Sequence, residues 1–279
     1  MTYSSLYCVL TDDALVEETL AQALATAGAH NAHLDVLCLG VDHSPSGYDL
    51  GGASAIMMEQ TITRAREDAE TIEAHARAIL EASGTLWSAS SGLAQMAGLS
   101  RHVAAKARFS DLVVLPRPYG DKRGDELEVI TEAALFDAST PVLITREASS
   151  PLTQPERVIV AWNNGTEALN AVRASLPMMR QAQTVHVAVI DPPTHGPTRS
   201  DPGGMLAQYL ARHGIKVEVN VLAKTMPHIA DVLNRHAEDI NADLIVMGAY
   251  GHSRIREAMF GGATRDMLSE CNRPVLMAH

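Results

Sequence analysis

The feature that most constrains this chain is that it states one domain plan twice. The first half closes on "SDLVVLPRPYGD" and "DASTPVLI", and the second closes on "ADLIVMGAYGHS" and "ECNRPVLM". Asp111 therefore corresponds to Asp243 and Pro141 to Pro274, with a one-residue shift of register across the last helix. The repeating unit is far longer than a solenoid repeat, so the similarity is that of a whole domain.

Within each half, short β-rich apolar runs alternate with segments of helical period, the pattern of a mostly parallel sheet covered by helices. The first half predicts strands at "LYCVL", "HLDVLCLG", "TLWSA", "DLVVLP" and "PVLIT", with helices over 15–29, 54–83, 91–108 and 125–137. The second predicts strands at "RVIVAW", "TVHVAVI", "KVEVNVL", "DLIVM" and "PVLMA", with helices over 166–180, 203–213, 227–239 and 254–269. Between them "REASSPLTQPE" gathers Pro, Ser and Thr as a linker does. The expected organisation is a first domain over 1–146, a linker over 147–156 and a second domain over 157–279.

Composition narrows the function. The chain carries 33 acidic against 22 basic residues, a formal charge of −11, and has no long basic run. Its overall field disfavours polyanions, which argues against nucleic acid as the primary partner. Cys8, Cys38 and Cys271 stand apart in apolar contexts with no CxxC pair, as expected of buried thiols in a reducing compartment. No stretch approaches the roughly 20 apolar residues of a membrane span. The N-terminal "MTYSSLYCVLTDD" lacks the layout of a secretion signal, so a cytoplasmic address without membrane contact is expected.

The segment with chemical content is "GAYGHSRIREAMFGG", which follows the apolar strand "DLIVM". Ligands of parallel α/β sheets bind outside the carboxyl ends of the strands, where Gly248 and Gly251 fall. Glycine there permits a turn or a close backbone approach, and a helix N-terminus offers unpaired N–H groups to an anion. Gly261 and Gly262, then Ala263 and Thr264, supply a second such stretch, while His252 reads either as a phosphate donor or as a cap. The spacing is neither the GxxxxGK of a P-loop nor GxGxxG. No HExxH or nucleophile elbow occurs, so no catalytic residue is assigned.

These residues resemble the C-terminal signature of the universal stress protein family, G-x2-G-x9-G, here Gly248, Gly251 and Gly261, ending in a Pro-Val-Leu strand. The hydroxyl residue usual after the third glycine is replaced by Gly262. The resemblance extends in plan over both halves. It implies two tandem Rossmann-like (adenine nucleotide alpha hydrolase-like) α/β domains, each a five-stranded parallel sheet of order 3-2-1-4-5, pairing as an intramolecular pseudo-dimer through their last strands. It also implies a stress-response role through ligand sensing or protein partners, with a further homodimer open.

Its ATP-binding members place an acidic residue at the end of the first strand. The second half has Asn163, followed by Asn164, at that position, and these two also read as a turn and cap before the next helix. The first half retains Asp12 there, but Pro116 and Tyr119 replace the first two glycines, so its site is degenerate. The resemblance thus implies ATP or a related adenine nucleotide, with Mg, in the second half. A slow nucleotide hydrolase and an interaction protein that binds no nucleotide are the alternatives.

Overall fold

In a computed structural model the protein is described over residues 2–44, 52–121, 123–145, 151–192, 201–249 and 262–279. It packs as two compact units, one of Tyr3–Thr140 and one built on Pro141–His279.

The first unit runs β1 (Ser5–Leu10), a 3-10 turn at Asp13–Leu15, α1 (Val16–His30), β2 (His33–Asp42), α2 (Gly52–Glu81), β3 (Trp87–Gln95), α3 (Leu99–Ala107), β4 (Leu112–Leu115) and α4 (Asp125–Glu132), which loosens into a π-turn over Ala133–Asp137. Its four strands are parallel in the order β3-β2-β1-β4, with Ser5 opposite His33 and Leu6 opposite Leu112. Leu6, Val9, Leu10, Leu112 and Val114 are buried, as continuous apolar strands covered on both faces must be. Ala65, Ala69, Ile72, Ala76 and Leu80 form one buried stripe of α2 at spacings of three and four, which lays this long helix against the sheet. Helix α1 stops where Asn31 turns left-handed at φ 54° and its N–H bonds back to Ala27 and Gly28.

One expected boundary is wrong. The helix expected from residue 91 begins instead at Leu99, because β3 continues to Gln95. The ladder supplies the reason: β2 extends to Asp42, which lies opposite Gln95, so residues 90–95 find backbone partners along a neighbour that the local pattern does not reveal.

The second unit contains β5 (Val142–Ile144), β6 (Arg157–Ala161), α5 (Thr166–Met179), β7 (Thr184–Ile190), α6 (Gly204–Arg212), β8 (Val217–Leu222), α7 (Ile229–Asp239), β9 (Leu244–Gly248), α8 (Ala263–Glu270) and β10 (Val275–Ala278). Strands of the second half follow β8-β7-β6-β9-β10, the 3-2-1-4-5 order, and are parallel. Strand β5, the last of the first half, lies antiparallel to β10, with Ile144 opposite Val275 and Val142 opposite Met277. The last strands of the two halves are thus paired within this unit. Val158, Ile159, Val160, Val187, Leu233, Val246 and Leu276 form the core. No helix among the described residues is long and apolar enough to cross a membrane.

Candidate functional site

Strands β6 and β9 are neighbours, with Ala161 opposite Met247, so their carboxyl ends bring Asn163 and Asn164 to the same rim of the sheet as Gly248. The turn between β6 and α5 is made by local chemistry. Asn163 Oδ1 accepts the Gly165 N–H at 2.8 Å, and Asn164 takes the left-handed region at φ 63°, which Asn tolerates better than most residues. Gly165 then caps α5 in extended geometry without a side-chain bond.

Gly248 has a packing reason for lacking a side chain. A Cβ there would meet the amide nitrogen of Ala168 at 2.5 Å and the Glu167 carbonyl carbon at 2.7 Å, so the first turn of α5 rests directly on the end of β9. Gly262 caps α8 at φ −125° and ψ 161°, and Ala263 and Thr264 form its first turn, with Thr264 buried. Gly251, His252 and Gly261 lie outside the described residues.

Asp12 follows β1, and its Oδ1 accepts the Ala14 N–H at 2.9 Å, capping the 3-10 turn that leads into α1. It also lines a cavity of about 600 Å³ at the strand ends of the first unit, together with Thr11, Asp13, His43, Asp68, Thr71, Ile72 and Arg123 to Glu126. The acids come from three places: the β1–α1 connection, the outer part of α2 and the first turn of α4. Asp13 is engaged by His75 Nδ1 at 2.8 Å. On either side of His43, Asp42 accepts from the Ser44 hydroxyl at 2.6 Å and the Ser44 amide at 2.9 Å. These bonds, the hydroxyl first, keep the Asp42 carboxyl below the usual carboxylate range against the opposing pull of burial.

The least expected feature is Glu126. Its carboxylate folds back over Gly124, where any Cβ would collide with both of its oxygens. It is 8 % exposed, and Oε2 has no hydrogen-bond partner. His43 Nε2 lies 3.7 Å from Oε2, within ion-pair distance and beyond hydrogen-bond reach. Sequence reasoning found Asp12 but missed His43, Asp68, Arg123 and Glu126. The signal present was the acid-rich helix opening "GDELE", which by itself reads as ordinary complementing of the helix dipole.

The class defined by this fold is a doubly wound α/β protein with its candidate sites at strand carboxyl ends. Residues 154–279 match the model of the universal stress protein family. A universal stress protein of Synechocystis, Slr1230, is 38 % identical over 88 residues, which is 30 % of this chain and 30 % of that protein. Universal stress protein MJ0577 of Methanocaldococcus jannaschii is 31 % identical over 64 residues, 23 % of this chain and 38 % of that one. The chain thus spans well under half the length of each of these curated relatives. The crystal structure of a universal stress protein from Archaeoglobus fulgidus shares the fold over 98 % of this chain and 95 % of its own, with a TM-score of 0.69 at 16 % identity.

Proposed function

We propose that this protein is a stress-response regulator of the universal stress type that senses ATP or a related adenine nucleotide, with magnesium, in its second half and turns it over inefficiently or not at all. The observation that carries this reading is that the family match over residues 154–279 covers the segment holding Gly248, Gly251 and Gly261 at the G-x2-G-x9-G spacing. The rim formed by the β6 and β9 ends suits it, since ligands of parallel sheets gather at such ends.

In this reading the phosphates lie on backbone N–H groups of the glycine segment, with Gly262, Ala263 and Thr264 at the N-terminus of α8 as a second group of donors. His252 adds a donor. Asn163 and Asn164 stand where the ribose is held. Asn163 spends its carbonyl oxygen on the turn, which leaves its N–H2 for a sugar oxygen.

Calorimetric titration with ATP, with and without magnesium, tests the reading. Saturable binding that Gly251→Asp abolishes is expected. Asn163→Asp keeps the turn acceptor and adds a charged one, and should tighten binding by about tenfold. Flat heats at millimolar ATP would overturn nucleotide sensing, and sustained phosphate release lost in Gly251→Asp would replace it with a slow hydrolase.

A further inference from the structure

We propose that β8, the outer strand of the second half, is a self-association edge: two copies of this chain pair antiparallel through their β8 strands about a two-fold axis at Val219. This pairing does not depend on nucleotide binding.

Strand β8 closes the sheet on its side, with β7 as its neighbour. The Lys216 and Leu222 carbonyls accept from the Val185 and Asp191 N–H groups, so the even-numbered residues of β8 turn their backbone groups toward β7. Val217, Val219 and Val221 turn theirs outward, and among the described residues no group bonds to them. An open edge of this kind is a template for another strand. The outer strand of the first unit, β3, is protected: Arg77 Nη2 donates to the Ala89 carbonyl at 3.3 Å.

The side chains select the occupant. Val217, Val219 and Val221 share the sheet face that carries α6, where Val219 lies beside Gly203. Val219 and Val221 are 38 % and 55 % exposed, so the stripe is not covered from within. A second β8 centred on Val219 sets Val219 against itself and Val217 against Val221, and each outward N–H and C=O of the three valines gains a partner.

The opposite face is complementary in the same register, which sets Glu218 against Asn220 on both sides of the axis. Asn220 Oδ1 already accepts from His186 Nδ1 at 3.0 Å, and its N–H2 is left to donate to the Glu218 carboxylate of the second copy. Glu218 is exposed, with His186 Nδ1 3.8 Å away. An unrelated strand would have to present valines, a carboxylate and an amide in this order; β8 is its own complement. The contact is isologous, so it closes at two copies. The chain already uses antiparallel pairing of this kind where β5 lies on β10. Repulsion between two chains of formal charge −11, and between the two Glu218 carboxylates, opposes the pairing and is screened by salt.

Sedimentation velocity of the full chain from about 1 to about 200 µM tests the pairing. A shift from monomer to dimer is expected, tighter at about 0.5 M NaCl than at about 0.05 M. Val221→Lys, at an exposed position, should weaken the dimer by about tenfold or more without changing the melting temperature. Cysteine variants fix the register. Only Val219 meets its own copy, at about 5.5 Å between Cα atoms, which is within disulfide reach. Oxidation with copper phenanthroline should give a covalent dimer in Val219→Cys and none in Val221→Cys, and this arm stays decisive if Val221→Lys fails to fold. A monomer at every concentration would overturn the proposal and leave the edge to a foreign strand. So would a Val221→Lys dimer as tight as wild type, a dimer loosened by salt, or equal cross-linking at both positions.

Discussion

Asp111 and Asp243 perform the same task in the two halves. Asp111 Oδ2 accepts the consecutive N–H groups of Ser4 and Ser5 at 2.7 and 3.1 Å, where β1 begins. Asp243 Oδ2 accepts those of Glu156 and Arg157 at 2.7 and 2.8 Å, where β6 begins. Each carboxylate, just before the fourth strand of its half, ties down the start of the first strand. The repeat seen in sequence is therefore a repeat of specific hydrogen bonds.

Asp111→Ala and Asp243→Ala should each lower stability by about 1–2 kcal/mol, through loss of charge-assisted bonds to backbone donors. The double variant should be additive, because the two clamps share no partner. Asp→Asn keeps an acceptor oxygen and should cost less at both positions. Urea denaturation read by circular dichroism checks this, and wild-type midpoints in both alanine variants would refute the clamp.

Gly248→Ala should destabilise the second unit by about 1–3 kcal/mol with or without ATP, since the new methyl must push back the first turn of α5. Denaturation measured across a nucleotide titration decides the matter. A variant as stable as wild type would mean that α5 shifts freely, and that the glycine is there for another reason.

Acidification should weaken the fold through His30 and His236. Burial pushes the His30 imidazole below its ordinary 6.5. Burial, and then repulsion from His186, push His236 the same way, with Asp239 opposing. His30 packs edge-on against Tyr3, and His186, the neighbour of His236, lies beside Glu218 and Asn220. Below about 6.5 the unfolded chain binds more protons than the folded one, so stability is full above that pH and falls as pH drops toward the folded values. Melting temperatures from pH 7.5 to 5.5 should decline, and more shallowly in His236→Gln. An unchanged slope would remove His236 from the account.

Native cysteines should resist alkylation. All three are buried, and none forms a disulfide. Burial drives the Cys8 thiol far above its ordinary range, and drives Cys38 up to about 12, with Glu73 adding to the rise. The reactive thiolate is thus suppressed. Mass spectrometry after iodoacetamide at pH 8 should show little labelling until denaturant is added, and rapid native labelling would contradict the burial.

Much of the second-half rim was legible because turn chemistry is local. Asn163 and Asn164 read as a turn and cap before a helix; the turn forms, but Gly165 takes the cap position without a side-chain bond. The packing role of Gly248 was not legible, because the atoms that forbid a Cβ belong to Glu167 and Ala168, far away in the chain. The first-unit cavity was harder still. Asp12 suggested a site, but Asp68 lies on the outer stretch of a long helix, where an acid ordinarily means only a solvated face.

By itself the sequence determined the repeat, the identity and order of nearly all the strands and helices, and the glycine spacing, because periodicity, turn residues and caps act over a few neighbours. Tertiary structure alone decided the extension of β3 along β2, the antiparallel seating of β5 on β10, and the folding of the Glu126 carboxylate over Gly124. These depend on backbone partners and on unfilled space supplied by distant segments. A strand end or a carboxylate has several local choices of similar energy, and which one is taken is set by what the rest of the fold places beside it.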